Sequence, residues 1–335
     1  MSDSTTLATE LAGVRNRSTA LMDDLGRSIV GQEQVLRLLT ACLISRGHAL
    51  IIGMPGLAKT TMVKNLAQCL TLRFKRIQFT PDMMPSDITG SLVLRETQAG
   101  GAPRFEFTPG PIFANIVLAD EINRSPPKTQ AALLEAMAEY QVTVGNDSHL
   151  LPDPFFVIAT QNPIEQEGTY ELPEAQLDRF LFMIRVEYPS QREEEKILAQ
   201  TPDATRRFQP SFSMPGEELL AIQDTVRRLT AVPAVTAAVA RLIRSTRPQD
   251  ERAPDFVRKY VEWGVGPRAG QHLLMAARAW AAMAGKPQVT LTEITAVAPA
   301  VLRHRIGLNY AARAEGLTAD VLIDRLLGLW VKQGA

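Results

Sequence analysis

One glycine-containing loop constrains this chain more than any other feature of its sequence. The apolar run Ala49 to Ile52 is followed by a loop that reads GMPGLAKT, from Gly53 to Thr60, and then by a stretch with helical periodicity. In such a strand–loop–helix unit, the backbone N–H groups of the loop and of the helix N-terminus bind phosphate oxygens. The pattern therefore predicts a Walker A phosphate loop.

The loop residues have expected roles in binding ATP. Lys59 would reach the β- and γ-phosphates, and Thr60 would hold a Mg²⁺ ion through its hydroxyl. Ala58 stands where the strict pattern has glycine, and its small side chain does not obstruct the loop. The candidate nucleotide-binding residues of this segment are Gly53, Pro55, Gly56, Leu57, Ala58, Lys59, Thr60 and Thr61.

Two adjacent carboxylates end a second apolar run. Residues 116–119 read IVLA and are followed by Asp120 and Glu121. At the end of a buried strand, Asp120 would lie beside the Mg²⁺ ion, and Glu121 would polarise the water that attacks the γ-phosphorus. An Asp-Glu pair alone is more often a solvated strand end, but its pairing with the phosphate loop favours a Walker B motif.

Three further polar residues are candidates for contacts to the γ-phosphate. Asn162 follows the apolar run 155–160 and could orient the attacking water, although Asn162-Pro163 is also a common way to open a turn. Arg179 precedes the last apolar run and could act as an arginine finger or, alternatively, make a surface ion pair. Arg268 lies in the first turn of a helix, where a cation opposes the helix dipole and a bound phosphate would offset it.

Apolar runs alternate with helical stretches in the first part of the chain, which predicts a parallel sheet covered on both faces. Two segments, 90–108 and 141–151, interrupt this alternation with glycine-centred patterns and are expected to be inserted hairpins. After residue 188, helical patterns dominate. We expect an N-terminal helical segment (1–28), an α/β core (29–188) and a smaller all-α domain (189–335).

Charge, cysteine content and hydropathy argue against several classes of protein. The chain has 36 Lys and Arg against 36 Asp and Glu, so no net field attracts nucleic acid or an anionic membrane. Its 2 cysteines and 4 histidines show no spacing typical of a metal site, and no run reaches the roughly 18 apolar residues of a membrane span. With no signal-peptide pattern at the N-terminus, we expect a cytoplasmic protein.

The amino-acid sequences of these motifs closely resemble those of one protein family. The segments LADEINR (118–124), KTQ (128–130), LLEAM (133–137), ATQNP (159–163) and LDRF (177–180) look like those of the MoxR family of AAA+ ATPases. The similarity spans roughly residues 29–310. It implies a P-loop α/β core followed by an all-α lid.

The resemblance also implies a role for each motif. It assigns Walker A to Lys59 and Thr60, Walker B to Asp120 and Glu121, sensor 1 to Asn162, the arginine finger to Arg179 and sensor 2 to Arg268. It places the segment from Ile29 to Gln32, with Val30 and Gly31 as its binding residues, at the adenine pocket, and the two hairpins at a ring pore or a client. In this interpretation, Arg268 acts in its own subunit and Arg179 in the next.

The implied function is that of a chaperone-type motor. Members of the family look like homohexameric rings that hydrolyse ATP with Mg²⁺ and mature a client enzyme complex by inserting a cofactor or metal. They act with a separate protein that carries a von Willebrand factor A domain.

Two other functions remain open from the sequence. A nucleotide-gated scaffold with negligible turnover would carry the same motifs. A nucleic-acid motor is less favoured, because residues 141–151 contain no Lys or Arg, although Arg95 and Arg104 flank the turn of the other hairpin.

Overall fold

The structure, a computed structural model, describes residues 2–97, 101–164, 168–199 and 208–332 and has two architecturally different parts. The elements of the first part are α1 (Ser2–Gly26), α2 (Glu33–Ile44), β1 (Ala49–Gly53), α3 (Lys59–Cys69), β2 (Phe74–Gln78), α4 (Pro85–Thr89), β3 (Gly90–Thr97), β4 (Gly101–Pro109), β5 (Ile116–Asp120), α5 (Pro127–Glu139), β6 (Gln141–Val144), β7 (Asp147–Leu150), β8 (Phe156–Gln161), α6 (Glu174–Leu177) and β9 (Phe182–Val186). Those of the second part are α7 (Gln191–Ala199), α8 (Gly216–Arg228), β10 (Thr230–Ala231), α9 (Pro233–Ser245), α10 (Asp255–Tyr260), β11 (Val261–Trp263), α11 (Pro267–Met283), β12 (Gln288–Val289), α12 (Leu291–Leu302), β13 (Gly307–Leu308), α13 (Tyr310–Ala314) and α14 (Ala319–Lys332).

A five-stranded parallel sheet forms the centre of the first part, as the alternation of apolar runs predicts. The strand order is β2-β5-β8-β1-β9, and all four neighbouring pairs run parallel. Every residue of β5 is buried, which is typical of a strand covered by helices on both faces. Because the strands point the same way, the segments that follow β1, β5 and β8 all leave the sheet at one edge.

Two antiparallel hairpins project from this core. Strand β3 pairs with β4, and β6 pairs with β7. Gly145 lies in the β6–β7 turn with a φ of +66°, a conformation that favours glycine. Gly100, which the sequence places in the other turn, lies outside the described residues.

The second part packs around α11, which contacts α12, α9, α1 and α2. Helix α11 is rich in alanine and carries fully buried residues such as Leu273 and Ala276, so its neighbours approach it closely. Arg37 of α2 places its guanidinium 4.3 Å from the ring centre of Trp280 on α11. The two N-terminal helices therefore fasten the second part to the first. No helix within the described ranges is long and apolar enough to cross a membrane.

The end of α1 is fixed by a buried carboxylate. Asp24 accepts hydrogen bonds from the backbone N–H of Ser211 at 2.9 Å, the hydroxyl of Ser211 at 2.7 Å and the N–H of Phe212 at 3.1 Å. Its side chain is only 3% exposed. Asp24 thus holds the segment before α8 against α1.

We expect Asp24→Asn to lower the free energy of unfolding by about 2 kcal/mol at neutral pH, because hydrogen bonds to a buried charged acceptor become bonds to a neutral one. Burial raises the pKa of Asp24, but the hydrogen bonds from Ser211 and Phe212 and the charge of Arg27 outweigh it, and the pKa lies below its ordinary value of 3.8. The contribution of Asp24 is therefore present above pH 3.8 and is lost as the pH falls through the lowered pKa.

Urea denaturation at a series of pH values measures this effect. Asp23→Asn is the matched control, because Asp23 is the exposed neighbour on the same helix. A wild-type advantage over Asp24→Asn that persists unchanged at low pH would contradict the assignment of the effect to the carboxylate.

Candidate nucleotide site

The phosphate loop joins the carboxyl end of β1 to the start of α3. Gly56 has a φ of +83° and Ala58 a φ of 55°, so both adopt the left-handed conformation. Glycine adopts it freely, whereas the Cβ of alanine makes it less favourable. This conformation explains why the strict Walker A pattern has glycine at the position of Ala58. The ammonium of Lys59 donates to the carbonyl oxygens of Gly53 and, at 3.2 Å, of Met54, so the side chain folds back over the loop.

Asp120, the last residue of β5, lies at the same edge of the sheet and is buried. Its Oδ1 accepts a hydrogen bond of 2.6 Å from the hydroxyl of Thr160 on β8. Its Oδ2 accepts one of 3.3 Å from the hydroxyl of Thr60 on α3, and the guanidinium of Arg76 on β2 contacts the same oxygen at 2.6 and 2.9 Å. Strands β2, β5 and β8 and helix α3 thus converge on one carboxylate.

Thr60 and Asp120 have the donor atoms that suit Mg²⁺. The hydroxyl and carboxylate oxygens are hard ligands, and at nucleotide sites Mg²⁺ uses one or two protein oxygens together with phosphate oxygens and water. Over the ranges that the structure describes, no group of three or more His, Cys, Asp and Glu could hold a metal alone. The residues present therefore fit a Mg²⁺ ion that arrives with the nucleotide, and Arg76 is the cation that pairs with Asp120 here.

Glu121 follows directly, with a left-handed φ of 57° that turns the chain into a short 3-10 helix. Its backbone N–H donates to the hydroxyl of Thr160 at 2.9 Å, so Thr160 fixes both carboxylate residues. Its Oε2 accepts hydrogen bonds from the amide of Gln78 at 2.7 Å and the guanidinium of Arg124 at 3.0 Å. The carboxylate is held at the carboxyl edge of the sheet and is 27% exposed.

Asn162 is buried and follows β8 at this edge. Its Oδ1 accepts a hydrogen bond of 3.2 Å from the backbone N–H of Ile164. The side chain therefore caps a turn, as the alternative interpretation of Asn162-Pro163 predicts. The residue lies at the same edge of the sheet as Asp120, directly after β8.

A cavity of about 520 Å³ adjoins the phosphate loop and has the mixed lining expected of a base pocket. Of the segment predicted at the adenine pocket, Ile29, Val30 and Gln32 line it. The predicted phosphate-loop residues that also line it are Pro55, Gly56, Leu57 and Ala58. Gly31 does not line this cavity. It faces Glu193, whose carboxylate carbon lies 2.6 Å from where a Cβ would be.

Helix α7 and the residues before it form another wall of this cavity, and the sequence did not predict that contribution. Tyr188, Ile197 and Leu198 line it, and all three are exposed, Leu198 to 82%. The sequence feature that could have indicated this is the apolar pair Ile197 and Leu198. The pair directly follows the charged run 192–196, which by itself predicts a solvated helix face. Exposed apolar side chains beside a base pocket are suited to cover a bound base.

Arg179 and Arg268 lie elsewhere. Both line a second cavity, of about 620 Å³, together with His48, the residue before β1, and with Tyr140, which follows α5. The phosphate loop leaves the opposite end of β1, and a five-residue strand separates the two ends by roughly 15 Å. Neither arginine therefore lies beside the phosphate loop of its own chain.

The structure therefore does not place Arg268 at the site of its own subunit, which is where the resemblance put it. Arg268 lies in the first turn of α11 and lines the same cavity as His48, which precedes β1 at the amino edge of the sheet. There Arg268 pairs with Asp178 at 3.4 Å, next to Arg179 in the chain. Arg179 and Arg268 therefore line one cavity, and Lys59 is not part of that cavity.

Comparison with known proteins agrees with this architecture. Residues 48–182 match the model of the ATPase family associated with various cellular activities (AAA), and residues 255–326 match the AAA lid domain. The crystal structure of a candidate ATPase from Cytophaga hutchinsonii superimposes with a TM-score of 0.88 at 37% identity, over 98% of both chains.

Named relatives narrow the family. The chain is 40% identical to Chaperone MoxR1 of Mycobacterium tuberculosis over 91% of its own length and 79% of that protein. It is 31% identical to Protein MoxR of Methylorubrum extorquens, over 92% and 93% of the two chains, and 26% identical to the magnesium-chelatase 38 kDa subunit of Acidiphilium rubrum, over 83% and 90%. With its P-loop core, its helical lid and these relatives, the chain belongs to the MoxR family of AAA+ ATPases and is a chaperone-type enzyme that binds and hydrolyses ATP.

Proposed function

We propose that subunits of this ATPase form a homohexameric ring in which ATP is hydrolysed between neighbours. The observation that carries the proposal is the separation of Arg179 and Arg268 from Lys59 by the length of the sheet. Contact of both groups with one nucleotide requires a second subunit, placed head to tail with the first. The hexamer is the ring size that the AAA+ resemblance implies.

Within such a site, the phosphate loop and the carboxyl edge of the sheet supply one half of the chemistry. Lys59 leaves its loop carbonyls for the β- and γ-phosphates. Thr60 and Asp120 would hold Mg²⁺, which would neutralise phosphate charge when bound. Glu121 accepts a proton from the attacking water, and Asn162 orients that water or a γ-phosphate oxygen.

The neighbouring subunit supplies the other half. The guanidinium groups of Arg179 and Arg268 match the charge that spreads over the γ-phosphate oxygens in the transition state. An arginine finger contributes about 10³ to 10⁵ in rate. Hydrolysis is therefore tied to the relative placement of two subunits, and its energy becomes available to move them.

We expect Glu121→Gln to bind ATP with nearly unchanged affinity and to hydrolyse it at least about 10²-fold more slowly, because the amide cannot take the proton. Lys59→Ala should lose nucleotide binding, since it removes the cation of the loop. Fluorescent-nucleotide titration and phosphate release measure the two properties separately.

The control for the Glu121 substitution is Glu217→Gln, which changes an exposed glutamate of α8 in the second part. It should hydrolyse ATP at the wild-type rate. Turnover retained in Glu121→Gln would remove this residue as the base.

A mixing experiment tests whether sites are shared. Arg179→Ala subunits keep the phosphate loop but lack the finger, and Lys59→Ala subunits keep the finger but lack the lysine, so each alone should be about 10³-fold slower or worse. When the two are mixed and allowed to exchange subunits, interfaces form that contain one intact half from each, and we expect turnover to reappear.

Mixing Arg179→Ala with Arg179→Ala, Lys59→Ala double-variant subunits is the matched control, because no interface in that mixture is complete. Native mass spectrometry confirms that mixed rings have formed. Mixed rings without recovered turnover would exclude a shared site of this kind.

We propose that the substrate of the motor is a protein complex. Hairpin β3–β4 carries exposed apolar side chains, among them the cross-strand pair Leu94 and Phe105, which are 55% and 71% exposed. Arg95 on the same hairpin pairs with Glu106 at 3.1 Å, which offsets its charge. An apolar, locally neutralised hairpin suits a protein client better than nucleic acid.

The relatives support a role in maturation. One is named a chaperone and another a magnesium-chelatase subunit, and we propose that this chain likewise drives insertion of a cofactor or metal into a client enzyme complex. The client would be presented by a separate protein with a von Willebrand factor A domain, as the family resemblance implies. The buried free thiols of Cys42 and Cys69 suit work in the cytoplasm.

A further inference from the structure

The carboxylate of Asp178 contacts one arginine of the proposed interface, and Asp178 precedes the other in the chain. Asp178 follows α6 and immediately precedes Arg179. Its Oδ2 accepts a contact of 3.4 Å from the guanidinium of Arg268, and its Oδ1 accepts a hydrogen bond of 2.7 Å from Nε of Arg305. Arg268 and Arg305 belong to the second part of the chain, and Asp178 belongs to the first.

The side chain of Arg305 is only 3% exposed, so it cannot contact a ligand and has a structural role. Its Nη2 donates to the backbone carbonyls of Asp178 at 3.1 Å and Phe180 at 2.6 Å, on either side of Arg179. The same nitrogen lies 2.7 Å from Nδ1 of His272, so its two hydrogens are shared among three acceptors. Burial, and then the charge of Arg305, lower the pKa of His272 to about 4, so this histidine is neutral and can accept the bond. Arg305 thus fixes the backbone that carries the finger.

Arg268 depends on Asp178 in a way that Arg305 does not. Within the part of the chain that the structure describes, Asp178 is the one residue with which Arg268 forms an ion pair or hydrogen bond. Arg268 is otherwise exposed, with 53% of its side chain accessible. The negative charge also offsets the repulsion between guanidinium groups that line one cavity. Removing that charge would free Arg268 while leaving Arg305 its carbonyl partners.

We propose that Asp178 is a positioning residue that holds Arg268 of the lid in register with Arg179 of the core, so that both reach the neighbour's γ-phosphate together. The proposal rests on the function proposed above. Asp178 itself does not touch the nucleotide. It acts by reducing the positions that Arg268 can occupy before the neighbouring subunit arrives.

The test is Asp178→Asn, which keeps the size of the side chain and one oxygen that can accept from Arg305, but removes the charge that pairs with Arg268. We expect turnover at saturating ATP to fall about tenfold, the value of one hydrogen bond to a charged group. ATP affinity should stay unchanged, because the subunit's own phosphate loop is intact. In an Arg268→Ala background the same substitution should have no further effect.

Asp320→Asn is a closely matched control. Asp320 also joins two arginines across the boundary between the two parts, Arg303 of the second part at 2.9 Å and Arg185 of β9 at 2.5 Å, but it contacts neither Asp178 nor Arg179. It should leave turnover unchanged even where it lowers the melting temperature. Equal losses of turnover in Asp178→Asn and Asp320→Asn would overturn the proposal, because both would then report general weakening of the boundary.

A full tenfold loss from Asp178→Asn in the Arg268→Ala background would also overturn it, since the aspartate would not act through Arg268. Failure of the proposed function has a different signature. If Arg179→Ala and Arg268→Ala both keep wild-type turnover, the shared site falls and this inference falls with it. Losses in those two variants without coupling to Asp178 would remove this inference alone.

Discussion

The common direction of the five strands is the constraint on which the rest of this structure depends. It sends the phosphate loop, the Asp120-Glu121 pair and Asn162 to one edge of the sheet, and it sends His48 and the segment that carries Arg179 to the other. The hydroxyl of Thr160, bonded to Asp120 and to the N–H of Glu121, then locks β5 to β8 at the reacting edge. A sheet of this polarity places Arg179, which precedes β9, at the edge opposite the phosphate loop of its own chain.

The docking of the second part decides where Arg268 lies relative to the sheet. Helix α2 contacts both β9 and α11, α1 contacts α2 and α11, and Asp24 ties α1 to the segment leading into α8. At the amino edge, buried Arg305 reaches across to the carbonyls around Arg179. Each of these contacts joins groups far apart in sequence, so the position of the lid is set by tertiary packing and not by any local signal.

This difference explains what the sequence could and could not predict. The strands were predictable because a strand buried on both faces is usually a continuous apolar run. The apolar run predicted over 116–119 forms most of β5, every residue of which is buried. The phosphate loop was predictable because its backbone geometry needs small residues at fixed spacing. The edge of the sheet at which Arg268 lies could not be predicted. An arginine in the first turn of a helix shows where that helix begins but not how the helix packs against the sheet. The contacts of Asp178 could not be predicted either. Its partners Arg268 and Arg305 are 90 and 127 residues away in the chain, and no local sequence pattern indicates pairing over such separations.

The net charge of the chain is zero, but its charged side chains are distributed unevenly between the two edges of the sheet. At the reacting edge, Asp120 and Glu121 are held by Arg76 and Arg124, whereas Arg179 and Arg268 lie at the far edge with Asp178 as their nearby carboxylate. A nucleotide triphosphate adds several negative charges to the first edge and makes it the electrostatic complement of the second. Nucleotide binding would then strengthen the contact that hydrolysis needs, and loss of the γ-phosphate would weaken it. Such a cycle couples chemistry to subunit contact without any additional moving element.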